Sequence, residues 1–227
     1  MKKILILLFA LISFSAFSQD DIIIPERPGY CYGAMIIPTP YFQTDYGLGH
    51  TGNEFTNYVQ FRKAINKRFE VKMGGLFIGK EFIGVNAGTK FSIIEENETR
   101  PAVSGLLMVD LYNDVVVGAS YAPSLRLIGQ KNLWDNWIFV GNVGAGYFSG
   151  DNTMKYIYGL NVAYLAGKFT PDIECYREID ENFYGYTGIS YLIINSLSVD
   201  GGVYYNLSNQ CDFSRAEIGV SWRFKTR

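Results

Sequence analysis

Charge is scarce in this chain. Asp, Glu, Lys and Arg supply 19% of its 227 residues, against about 25% in an average soluble domain. Net charge is −2, so there is no basic surface of the kind that binds nucleic acid. Past the first residues there is also no long apolar run, which excludes a helical membrane protein. Histidine is nearly absent: His50 stands alone, too few for a zinc site. The three cysteines, Cys31, Cys175 and Cys211, lie far apart with no C-x-x-C spacing, so they form no disulfide framework and are read as small, unpaired residues. Nothing in the sequence calls for a metal or a cofactor.

The abundant residues are aromatics and glycine: 16% aromatic, with Tyr 17, Phe 16 and Gly 24. That composition without long apolar runs fits membrane strands, where apolar residues occupy every second position. The N-terminus reads as an export signal. Lys2 and Lys3 precede the apolar stretch Ile4 to Leu11, and Ala16 and Ser18 suit signal peptidase, which places the cut before Gln19. No cysteine follows the cut to take a lipid. The expected organisation is a signal peptide over 1–18, a proline-rich segment over 19–40 and a barrel over 41–227.

The middle segment carries Pro25, Pro28, Pro38 and Pro40, a density that bars a central strand. Ile23, Ile24, Met35, Ile36 and Ile37 within it are apolar enough to need cover. Two readings stay open for it: a plug or gate folded back into the barrel, or a disordered periplasmic tail.

From Tyr41 the sequence alternates with period two between short polar turns. In the last segment Ser214, Ala216, Ile218, Val220, Trp222 and Phe224 share one face, and Phe213, Arg215, Glu217, Gly219, Ser221 and Arg223 the other. The same split recurs in Arg68–Phe77, Ser196–Leu207 and Glu54–Ala64. The pattern predicts about 12 strands: Tyr41–Gly49, Glu54–Ala64, Phe69–Ile78, Gly84–Ile94, Ala102–Asp110, Val115–Leu127, Trp134–Phe148, Met154–Ala166, Thr170–Glu178, Phe183–Ile193, Ser196–Leu207 and Phe213–Phe224. A count of ten is the alternative. The fold class is all-β, a transmembrane antiparallel up-and-down barrel. Asn66-Lys67 fits a tight periplasmic hairpin. Pro123 falls inside the sixth segment and predicts a bulge or a shorter strand there. Arg177 falls on the lipid face and is tolerable only near an interface.

Alternation alone does not say which face points inward, since a soluble lipocalin-like barrel reverses the arrangement. The polar face decides. It carries Gly88, Ser104, Gly118, Ser120, Asn142, Gly144, Gly146, Gly159, Asn161, Gly188 and Ser190 with occasional charges, whereas a water-facing surface needs far more Lys and Glu. Phe42, Trp137, Tyr147, Tyr156, Tyr164, Tyr191 and Phe224 lie near segment ends on the apolar face, as in an interfacial girdle. The closing Trp222-Arg223-Phe224 suits recognition by the barrel-assembly machinery. These features predict a monomer in the lipid of a Gram-negative outer membrane.

Several stretches resemble a known family. Glu26-Arg27-Pro28-Gly29-Tyr30 and Ile37-Pro38-Thr39-Pro40-Tyr41-Phe42-Gln43-Thr44-Asp45-Tyr46-Gly47 are similar to the opening of the transporter-like outer-membrane family named for the MetA pathway of phenol degradation. Pro40 stands where that family has a glycine, and Cys31 where it usually has a polar residue. Ile65-Asn66-Lys67-Arg68-Phe69-Glu70-Val71, Gly88-Thr89-Lys90-Phe91 with Arg100-Pro101-Ala102, and Ile218 to Phe224 extend the resemblance over nearly the whole mature chain. It implies an outer-membrane barrel with a transport role and no phenol chemistry.

The polar-face charges Arg62, Glu70, Lys72, Lys90, Asp172, Glu174, Arg215, Glu217 and Arg223 are the candidate lumen-lining residues. Two roles stay open: biasing which small solutes pass, or pairing across a filled lumen. Twelve strands fall short of the 16–18 that leave an open porin channel. Against hydrolysis, the single candidate base His50 has Gly52 two residues on, without a hydroxyl, and no G-x-S-x-G turn occurs. The expectation is a non-enzymatic channel or transporter, or a structural barrel that does not conduct.

Overall fold

The computed structural model describes residue 23 and residues 31–52, 54–114, 118–134, 136–177, 182–209 and 211–226. The signal peptide, the cut before Gln19 and the segment 24–30 lie outside the described residues, as do Val115 and Glu178.

Alternating side chains make each segment a strand with two unlike faces, and the sheet closes on itself. Among the described residues twelve strands follow in chain order: β1 Tyr41–Thr51, β2 Glu54–Asn66, β3 Phe69–Ile78, β4 Glu81–Ile94, β5 Ala102–Asp114, β6 Gly118–Leu133, β7 Trp137–Phe148, β8 Thr153–Tyr164, β9 Phe169–Arg177, β10 Phe183–Ile194, β11 Leu197–Asn206 and β12 Asp212–Lys225. Each pairs with its sequence neighbour, and β1 pairs with β12 from Tyr41↔Lys225 to His50↔Ala216. The closed order leaves no strand at a sheet edge, as an apolar solvent requires. The turns are short. Between β2 and β3 the Asn66 side chain accepts from the Arg68 amide at 2.8 Å, fixing the hairpin with an Asx turn. Between β3 and β4 Gly79 supplies the left-handed φ of 59° that a side chain would oppose.

Strand limits shift where local geometry decides them. Trp134 has φ 50° and belongs to a turn, so β7 begins at Trp137 while β6 runs on to Leu133. Pro123 produces neither a bulge nor a shorter strand: β5 and β6 stay in register from Ala102↔Gln130 to Asp114↔Gly118. Two residues earlier Tyr121 exchanges bonds with Ser149, so strand parity turns the Pro123 nitrogen toward β7. The β6–β7 ladder begins only at Ser124↔Gly146, and the missing N–H falls just beyond it.

The two faces are chemically distinct. Outward positions in mid-strand are Val71, Met73, Leu107, Val109, Leu125, Val143, Leu160, Ile173, Ile189 and Ile218, all exposed. Aromatic pairs ring both ends of this belt. Phe42–Phe224, Trp137–Tyr164 and Phe169–Tyr191 have centroids 5.0, 4.9 and 4.7 Å apart at the end where the described chain enters β1 and leaves β12. Phe77–Phe82 and Tyr158–Phe183, at 5.2 and 5.8 Å, mark the far end. Arg177 closes β9 among the second set, its guanidinium 5.9 Å from the Tyr158 and Phe183 rings. Phe213 departs from the polar-face assignment. A register shift pairs Tyr205 with Phe213 and Tyr204 with Arg215, and this bulge turns Phe213 outward. The closed barrel with its apolar belt and aromatic rims is an outer-membrane barrel.

Candidate functional site

Inside the barrel the register sets charged side chains beside one another. Arg62 of β2 faces Lys72 of β3, and Glu70 of β3 faces Lys90 of β4. Arg62 forks onto Glu70, Nε to Oε1 at 2.9 Å and Nη2 to Oε2 at 3.2 Å, and the Lys90 ammonium lies 3.9 Å from the same carboxylate. Glu70 and Lys90 are both 0% exposed. On the neighbouring wall Arg223 donates to Gln43 Oε1 at 3.2 and 3.3 Å, and Gln43 donates to Asp45 at 2.8 Å.

Between these groups runs the chain's own N-terminal strap, residues 31–37, which belongs to no strand. It meets the wall in descending strand order. The Cys31 amide donates to Glu174 of β9 at 2.9 Å. Tyr32 exchanges both backbone groups with the Asn142 side chain of β7, at 3.1 and 3.0 Å. The Ala34 amide donates to Gln130 of β6 at 3.0 Å, and its carbonyl accepts from Ser104 of β5. Lys90 of β4 donates to the carbonyls of Gly33 and Met35 at 2.9 and 3.0 Å. The Ile37 amide ends the series on Glu70 of β3 at 2.9 Å. The Lys72 ammonium and the Arg126 guanidinium lie over the Tyr32 ring, 4.1 and 4.9 Å from its centroid. Side chains of the wall thus hold the strap's main chain almost residue by residue.

The two remaining sectors are bulkier than a lumen of glycines and scattered ions. On β5 to β8, Leu106, Met108, Ile128, Ile138 and Val140 form an apolar cluster that takes in Ala34. On β9 to β11, Tyr176, Tyr186 and Tyr204 pack together with Tyr184 beside them. The Tyr186 ring fills the space where Gly188 and Gly202 lack side chains; a Cβ at either would collide with it. Arg215 sits 4.1 Å over the Tyr204 ring and 3.5 Å from Glu217, and Asp172 accepts from Asn161 at 2.9 Å.

The charged residues singled out from the sequence therefore fall into separate groups. Arg62, Glu70, Lys72 and Lys90 meet around the strap, and Glu174 holds its first described residue. Arg215 and Glu217 belong to the tyrosine wall, while Arg223 and Asp172 each pair with an amide. Sequence reasoning did not select Gln43, Asp45, Gln130 or Arg126, although each stands an even number of residues from a selected or inward-facing neighbour. Cys31 is inside, Cys175 points out between the inward Glu174 and Tyr176, and Cys211 lies in a far-end turn; all three are free. Burial pushes the Cys31 thiol well above its ordinary range, and the nearby Glu174 carboxylate adds to the effect.

The fold and this occupied lumen define a 12-stranded outer-membrane barrel closed around a segment of its own chain. No protein-family model matches the sequence, and no curated protein matches it. Solved structures do share the fold. The KdgM porin superposes with a TM-score of 0.63 at 13% identity, over 80% of this chain and 99% of that one. An outer membrane channel from Pseudomonas putida F1 gives 0.61 at 10% identity, over 89% and 100%. Outer membrane phospholipase A from Escherichia coli gives 0.54 at 12% identity, over 85% and 93%.

Proposed function

We propose that the chain is a passive outer-membrane channel for small solutes, held shut by residues 31–37. The observation that carries this reading is the polar seam between strap and wall. A buried ion pair adds little net stability compared with hydrocarbon of the same volume, so a permanent filling would be better served by apolar contacts. Here Lys90, Glu70 and Arg62 stand at the boundary instead. Water entering as the strap leaves would solvate them, which makes the seam separable at modest cost. The resemblance to the MetA-named family, and the fold shared with a porin and a channel, support the same class.

The reading is non-enzymatic. His50 points outward at the far end, with Phe55 and Ala216 as its register partners and the Phe55 ring 4.8 Å away; neither carries a hydroxyl for it to activate.

A second reading, a structural barrel that never conducts, draws on the packing: Gln43, Asp45, Glu70 and Lys90 have no exposure at all. Conductance in a planar bilayer separates the two. The channel reading expects rare, brief openings of the native protein and sustained steps from Ala34→Arg, which forces a charge into the apolar cluster around Ala34. Folded Ala34→Arg protein that passes no current, with its strap displaced, supports the structural barrel.

A further inference from the structure

The strap is held in an unusual way. Its described bonds to the barrel at Cys31, Tyr32, Gly33, Ala34, Met35 and Ile37 are made by its amides and carbonyls, and the partners are side chains of the wall. Acceptors on Glu174, Asn142, Gln130 and Glu70 receive its N–H groups, and donors on Asn142, Lys90 and Ser104 reach its carbonyls. The Asn142 amide pairs with both backbone groups of a single residue, which is the pattern one peptide unit offers another. Such contacts read the main chain and are indifferent to most side chains. Four strap side chains are selected: a small one at Cys31 beside Gly159, a ring under two cations at Tyr32, a small residue in the apolar cluster at Ala34, and an aliphatic one at the buried Ile37.

We infer that the lumen wall is a binding site for short extended peptides, occupied in cis by residues 31–37 and open to a peptide in trans once the strap withdraws. The inference rests on the gated-channel reading and names the solute class that channel would hold. The wall orients its ligand, because Glu174 receives the amino-terminal amide, Lys90 reaches the carbonyls of Gly33 and Met35, and Glu70, neutralised by Arg62, receives the last amide. A free peptide therefore enters with its amino end toward β9 and its carboxylate toward β3 and β4. The preferred pattern is a small residue, an aromatic one, glycine, a second small residue, two spacers and an aliphatic residue.

The test uses full-length Ala34→Arg protein in detergent, with folding checked by heat-modified migration. The probe is the fluorescein-labelled heptapeptide Ser-Tyr-Gly-Ala-Met-Ile-Ile, followed by anisotropy. Saturable binding is expected. It should weaken at least about tenfold when the peptide's Tyr and Ala amides are N-methylated, and similarly when Asn142→Ala is added, since each change removes two such hydrogen bonds. Absence of saturable binding to folded protein, or equal binding of the methylated peptide, overturns the inference. With native protein, which avoids any folding defect, millimolar heptapeptide should raise the rate of Cys31 modification by a maleimide by displacing the strap; an unchanged rate counts against the site. Conductance keeps the two claims apart. An Ala34→Arg pore that opens yet ignores the peptide removes only the peptide site, and one that binds the peptide yet never conducts removes only the channel.

Discussion

The side-chain amide of Asn142 holds both backbone groups of Tyr32, accepting its N–H at 3.1 Å and donating to its carbonyl at 3.0 Å. One residue of β7 thereby fixes a segment more than 100 positions earlier in the chain. Lys90 does the same from the other side through Gly33 and Met35. These two residues bracket the strap, and the consequences of loosening it follow from them.

Lys90→Met removes two hydrogen bonds from a charged donor and leaves Glu70 paired with Arg62. Bonds of that kind contribute about 1.5–3 kcal/mol, and each 1.4 kcal/mol is about tenfold in an equilibrium. The open fraction in single-channel records should rise about tenfold or more, while unfolding of the barrel changes little. An unchanged open fraction would show that Lys90 does not latch the strap.

Gly202→Ala sets a methyl group into the Tyr186 ring. Overpacking of this kind costs about 1–3 kcal/mol, read as an earlier midpoint in denaturant unfolding of the refolded barrel. Adding Tyr186→Ala makes room, so the double variant should lose less than the sum of the two single changes. Additive losses would mean the ring does not rest on that glycine.

Much of this was legible in the sequence, and the reasons it stopped are physical. Period-two alternation gives the strands and their turns, and the small, charge-poor polar face then turns Arg62, Glu70, Lys72 and Lys90 inward. Parity fails at a bulge, which is why Phe213 faces outward. It is also blind to bulky inward residues: the Tyr186 ring fits inside only because Gly188, two residues on in β10, and Gly202 of β11 leave it room, and the second of these lies on another strand. The strap was least legible, because its hydrogen bonds join residues 31–37 to six different strands. Proline told where the strap cannot pair, and only the assembled wall shows what holds it.

Leu107→Arg tests the outward assignment. Leu107 is exposed in the middle of β5, where a cation facing acyl chains costs about 2–4 kcal/mol. Met154→Arg, exposed near the far rim of β8, should cost about 0–1 kcal/mol. Unfolding in lipid vesicles compares them, and equal costs would contradict a bilayer centred on the belt.

The position of the strap can be measured through Cys31. A Cβ placed at Gly159 would lie 2.7 Å from the Cys31 sulfur and 2.9 Å from the Tyr176 Cβ, so a shift of a few tenths of an ångström brings it to the separation of a disulfide. With Cys175 and Cys211 changed to Ser, Gly159→Cys protein purified from the outer membrane should form the Cys31–159 bridge nearly completely under mild oxidation. The bridge should abolish the rare openings, and reduction should restore them. Without the new cysteine, the protonated and enclosed Cys31 should react with maleimide far more slowly than Cys211 does in the native chain. A folded barrel in which no bridge forms and Cys31 reacts as fast as Cys211 would contradict a strap seated in the lumen.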